Sequence, residues 1–188
     1  MKNLSLFVLI IVTTWLVLAG CESDNSINDP VLDQNEPSVL SGFNENNLSK
    51  LGQQTIIELA QVRAASSQYH NLATAEANGY QDIEYFVAHM GWHFLKFDNL
   101  DGTFELTNPE LLVYAPNING KYQLVAVEYA TPWTPGSNPP EGFTGSDDVW
   151  SHFEGDPTTQ DDDLWTLHAW VWYHNPDGMF NPYNPRVD

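Results

Sequence analysis

Two apolar runs, "ELLVYAP" at 110–116 and "YQLVAVEYA" at 122–130, are separated only by "NINGK". Runs rich in Leu, Val and Tyr favour the pleated, half-buried strand, while Asn and Gly tolerate the backbone of a tight reversal. The three pieces together read as a β-hairpin, the strongest constraint in the chain. A hairpin with this much apolar surface needs a sheet around it and a layer over one face.

Ahead of the hairpin, "LSKLGQQTIIELAQVRAASSQYHNLATAEANG" at 48–79 supplies such a layer. Leu48, Leu51, Thr55, Leu59 and Val62, then Tyr69, Leu72, Ala73 and Ala77, recur on roughly one side of a helix. Asn46 or Asn47 can cap its start and Gly79 can end it in a left-handed turn. One long helix or two would fit, with Ser66 and Ser67 as the weak point. Beyond Gly79, "IEYFVAHMGWHFLKF" fits either a short helix ending at Met90 or a strand pair. "TPWTPGSNPPEGFTGSDD" predicts a long surface loop, and "LWTLHAWVWY" at 164–173 a last strand before a turn-rich tail. The expected fold is a single α+β domain over 48–188: an N-terminal helical region, then a mainly antiparallel sheet with long loops.

The beginning of the chain has another character. Lys2 precedes the apolar stretch "LSLFVLIIVTTWLVLAG", and small residues stand directly before Cys21. This is the pattern of an export signal over residues 1–20. Leu18, Ala19, Gly20 and Cys21 resemble a bacterial lipobox, which implies acylation of Cys21, palmitate included, and a lipid anchor in the membrane. The implied location is the bacterial cell envelope, at the outer membrane or cell surface. Residues 21–47, rich in Asn, Asp, Ser and Pro, read as a flexible tether.

Cys21 is the only cysteine, so the mature chain of 168 residues (188 minus 20) has no internal disulfide, iron–sulfur cluster or thiolate zinc site. Six Lys and Arg face 25 Asp and Glu, a net charge of −19, or −20 once Lys2 is removed. Such a surface repels nucleic acid and anionic lipid, leaving the membrane link to the acyl chains.

Chemistry is concentrated in histidines. If "YQLVAVEYA" alternates regularly, Leu124, Ala126, Glu128 and Ala130 share a face, and Glu128 stands as a lone carboxylate among small apolar neighbours. A carboxylate buried there needs a cation, hydrogen bonds or a raised pKa. In the last strand, Leu164, Thr166, His168, Trp170 and Trp172 share a face, while His174 falls where the alternation stops. His89 and His93 flank Gly91, but Met90 follows His89 where the zinc-protease H-E-x-x-H pattern needs Glu. Two histidines and a carboxylate with an open position suit a divalent metal ion: zinc, copper or iron. The competing reading makes each histidine a packed core residue. A metal-free Glu128–His168 pair across adjacent strands would raise the histidine pKa, whereas metal ligation would keep the coordinating nitrogen unprotonated.

Four phrases, "MGWHF", "PELLVYAP", "LVAVEY" and "LHAWVWYHNPDGMF" followed by "NPRV", resemble a group of exported, largely uncharacterised bacterial proteins. The resemblance implies His93, Glu128 and His168 as metal ligands, with His89 as a fourth candidate. Relatives in that group carry a cysteine after "NPRV" and another before the "MG" phrase, and a disulfide is implied there; this chain ends in Asp188 and has neither.

Two functions follow: a cell-envelope metalloprotein, in its sharper form a small metalloenzyme, or a non-catalytic lipoprotein binding a small molecule in an aromatic cleft of Trp92, Trp170 and Trp172. There is no G-x-S-x-G elbow and no phosphate-binding P-loop. "DNLDGTFE" at 98–105 lacks EF-hand spacing, and the Asp161, Asp162 and Asp163 run reads as a solvated loop.

Overall fold

The predicted hairpin is the centre of the sheet. In the computed structural model, which describes residues 48–155 and 162–188, Leu111–Pro116 (β3) and Tyr122–Pro132 (β4) pair antiparallel around a five-residue loop. The side chain of Asn117 accepts the Asn119 and Lys121 N–H groups at 2.9 and 3.1 Å, and Gly120 takes a positive φ of 71°. The signal, lipobox and tether readings, the Asn46 or Asn47 cap and Asp161 all lie outside the described residues. Among the described residues no helix is long and apolar enough to cross a membrane.

Among the described residues the sheet adds Gln81–Val87 (β1), Gly91–Leu95 (β2), Ser151–Phe153 (β5) and Leu164–Ala169 (β6), in the order β1-β2-β3-β4-β6-β5. Every pairing is antiparallel, and the strands follow the helices in sequence, as an α+β fold requires. Of the two readings of 83–97, the strand pair is the one formed.

Gly91 makes the β1–β2 reversal possible. Its φ is 120°, and a Cβ built there would stand 2.5 Å from the Tyr114 carbonyl oxygen of β3. Both the backbone conformation and the close approach exclude a side chain. Gly91→Ala should therefore destabilise the fold by about 2 kcal/mol or more, read as a lower denaturation midpoint at unchanged m-value.

The helical region divides at the predicted weak point. Gln53–Ser66 (α1) buries Thr55, Leu59, Val62 and Ser66, the spacing of one helix face. The Ser66 hydroxyl donates back to the Val62 carbonyl at 2.7 Å, and a 3-10 turn over Ser67–His70 replaces the α-helix. A short helix, Leu72–Ala77 (α2), restarts with the Asn71 side chain accepting the Ala73 N–H at 3.1 Å. The intervening turn changes the phase, so Ala75 is buried while Ala73 and Ala77 are exposed, against the single stripe expected from sequence. Gly79 closes the region with a φ of 94°.

The main core lies between these helices and one sheet face, where Leu59, Val62, Phe94, Leu112, Tyr114, Val127 and Leu167 pack together. Tyr114 donates its hydroxyl hydrogen bond to the Tyr69 carbonyl at 2.6 Å, which marks this face as the helix side. Ideal alternation fails at one place in the hairpin. A register shift between Val113 and Tyr114 sets Ala126 opposite Val113 but Leu124 opposite Tyr114. Leu124 thus leaves the face of Glu128, because the bulge inserts one residue into the two-residue period.

The last strand is also shorter than its sequence pattern. It ends at Ala169, because from Trp170 onward the backbone finds other partners: Trp170 N–H donates to Met179 O at 3.0 Å and Trp172 N–H to Val125 O at 3.2 Å. The apolar pattern continues past the strand because the returning tail covers Trp170 and α1 covers Trp172.

Candidate metal centre

The second face of the sheet carries the polar cluster. Register pairs Glu128 of β4 directly with His168 of β6. His93 of β2 lies opposite Val113 of β3, so its side chain reaches Glu128 across the intervening strand. His93 Nε2 is 3.4 Å from Glu128 Oε2, and His168 Nδ1 is 3.5 Å from Glu128 Oε1. One ligand atom from each of the three residues lies within 4.8 Å of the others. A tetrahedral ion with bonds of about 2.1 Å separates its ligands by about 3.4 Å, so the cluster is near a coordinating size.

All three groups are buried, at 2 % exposure for His93, 5 % for Glu128 and 1 % for His168. Burial pushes the Glu128 carboxyl up to about 8, opposed by a hydrogen bond from Thr166 and reinforced by the charge of Glu110. The same loss of water lowers His93, and it lowers His168 to about 3 with help from His93. The expectation that pairing with Glu128 would raise His168 is overturned. Glu128 keeps its own proton at neutral pH, so it brings no negative charge to hold an imidazolium.

Tautomer follows from geometry at His93. Its Nδ1 is 3.0 Å from the Tyr85 carbonyl oxygen, which can only accept, so Nδ1 carries the hydrogen and Nε2 presents a lone pair. A local irregularity sets up this contact. The Asp82 side chain accepts the Glu84 N–H at 2.8 Å, Glu84 takes a φ of 55°, and the resulting bulge puts Tyr85 opposite His93. His168 has no comparable support: both its ring nitrogens are buried with no hydrogen-bond partner among the described residues. An unmet buried donor costs about 1–3 kcal/mol, a cost that folded proteins retain mainly at functional sites. The imidazole is instead held flat against Trp170, at 5.9 Å between centroids and 17° between planes.

A cavity of about 200 Å³ opens above the cluster, with His93, Glu128 and Thr166 in its lining. Tyr85 of β1 meets Phe153 of β5 with ring centroids 5.7 Å apart, so the two outermost strands approach each other across this face. His168, paired with Glu128, does not line the cavity.

The other sequence candidates sit elsewhere. His89 belongs to the β1–β2 turn at a φ of 66°, bonds to the Val187 carbonyl at 3.0 Å and is not in the cluster. His174 is half-buried in the tail and likewise outside it. None of the three tryptophans lines the cavity. Trp92 packs on Phe86 and Tyr122; Trp170 donates its indole hydrogen bond to Asn181 O; Trp172 donates to Ser66 Oγ under the Arg63 guanidinium.

Sequence reasoning missed His152 and Asp163. The His152 ring stacks on Trp133 at 4.2 Å, its Nε2 stands 3.2 Å from Asp163 Oδ2, and it lines the cavity. Asp163 is buried and also accepts the Gly155 N–H at 3.0 Å, so it is a structural clamp rather than part of a solvated run. Its position directly before β6 was the available signal. Comparison with models of protein families, with curated proteins and with solved structures finds no match.

Proposed function

We propose that this protein is a cell-envelope lipoprotein, anchored through Cys21, whose domain carries one divalent metal ion on His93, Glu128 and His168. Zinc, iron and copper all accept two imidazoles and a carboxylate. The observation that carries the reading is a buried imidazole with neither nitrogen hydrogen-bonded among the described residues, set beside a second imidazole whose lone pair is already aimed at the shared carboxylate. The cavity above His93 and Glu128 leaves a coordination position reachable by a small molecule.

Each residue has a distinct task. His93 is preset by the Tyr85 carbonyl, so loading costs it no proton. His168 is kept neutral by burial and is equally ready. Glu128 must release the proton that burial lets it keep, and the carboxylate then balances part of the cation's charge. Lewis acidity toward water or a ligand donor atom is what a bound metal supplies at such a position.

Elemental analysis of untagged protein after incubation with Zn²⁺ and desalting tests the site. Close to one equivalent per chain is expected, and Glu128→Ala should carry almost none. Equal content in the folded variant would overturn the assignment.

A further inference from the structure

The lining of the cavity identifies what it can accept. Its walls are Ile83, Val87, Met90, Leu95, Leu111 and Leu164, and among the described residues no Lys or Arg contributes to it. An apolar body is therefore favoured along the walls, by about the transfer free energy of each methylene removed from water. The one other lining group able to face an anion, His152, is already engaged by Asp163, so an anionic head is drawn by the metal. With Glu128 ionised and both imidazoles neutral, a divalent ion leaves a single net positive charge, which one monoanion balances. A dianion such as phosphate would find no further cation there and would meet the field of a chain with net charge −19.

Resting on the metal reading above, we propose that the cavity binds a small monocarboxylate with an aliphatic tail. The carboxylate takes the open metal position beside His93 and Glu128, and the tail lies against the Ile, Val and Leu walls. His152, fixed by Asp163 and Trp133, forms part of the polar lining.

Calorimetry on the Zn²⁺-loaded full chain with acetate, butyrate, hexanoate and octanoate tests this, after elemental analysis has established the zinc content. Affinity should rise about three- to fourfold for each added CH₂ and level off once the cavity is full. Removing zinc with a chelator should weaken hexanoate at least tenfold. Hexylammonium should not bind, and inorganic phosphate should bind more weakly than hexanoate. Val87→Asp, on the wall, should weaken hexanoate about tenfold at unchanged zinc content; the chain-length series on the unmodified protein stands independently of how that variant folds. Equal affinity for acetate and hexanoate, or phosphate binding as tight as hexanoate, would overturn the ligand class while leaving the metal site standing. Failure to take up zinc would overturn both, and the elemental analysis separates the two results.

Discussion

His168→Ala should lower metal affinity by at least about a hundredfold, while His174→Ala leaves it nearly unchanged. Loss of a residue that merely orients a ligand already costs 10–100-fold, and His168 is placed as a ligand itself. The two histidines lie close in sequence but differ in setting. His168 is in β6, paired with Glu128 and 1 % exposed; His174 follows the end of that strand and is half-buried among the residues of the tail. Stability should respond less than affinity. The alanine leaves a space beside Trp170, but it also removes two buried nitrogens that have no hydrogen-bond partner among the described residues. Metal titrations of both variants, with circular dichroism to establish folding, decide the matter. A folded His168→Ala that binds metal as tightly as the parent would make this histidine a packing residue.

Glu110→Gln should stabilise the metal-free protein by about 3 kcal/mol at pH 8 and by little at pH 4. Glu110 is 1 % exposed, and its Oε2 accepts the Ala130 N–H at 3.0 Å. Burial pushes its carboxyl from 4.5 up to about 7, with Asp101 and Glu105 adding repulsion. The folded protein therefore holds a proton that the unfolded chain releases. Its contribution is full below about pH 4.5 and is lost as pH rises to about 7. A displacement of that size corresponds to roughly 3 kcal/mol. Glutamine retains an acceptor for Ala130 and does not titrate, so it avoids the loss. Thermal denaturation at pH 4 and pH 8 should show the variant ahead only at the higher pH, by roughly 10 °C. A constant difference at both pH values would mean that Glu110 does not titrate between them.

Metal loading offers a further check within the same experiments, because an ion that binds only the folded state stabilises it by mass action. Glu110 is not in the His93, Glu128 and His168 cluster, so the stabilisation by zinc should persist in Glu110→Gln and be lost in His168→Ala.

Local chemistry in the sequence determined several elements. "NINGK" between two apolar runs specifies a reversal, because the Asn117 side chain closes it and Gly120 accepts its left-handed backbone. Paired serines after a run of good helix formers specify a break, because a serine hydroxyl competes for the backbone. Alternation sorted Glu128 with Ala126 and Ala130 in β4, and His168 with Thr166 in β6, because the side-chain period of a strand is two; the β4–β6 register then set the two residues side by side.

Tertiary structure decided the rest, because the responsible contacts join residues remote in sequence or shift the period. Only the sheet order brings His93 of β2 over β3 to Glu128 of β4. The bulge at Val113 and Tyr114 moved Leu124 off the predicted face, and the one before Tyr85 supplied the carbonyl that orients His93. β6 ended before Trp170 because Met179 of the tail and Val125 of β4 offered its backbone other partners, and Trp170 and Trp172 took packing roles away from the cavity. Protonation was decided there too. A carboxylate beside a histidine reads in sequence as an ion pair, but removal of water from both costs more than the pairing returns, so the cluster rests neutral.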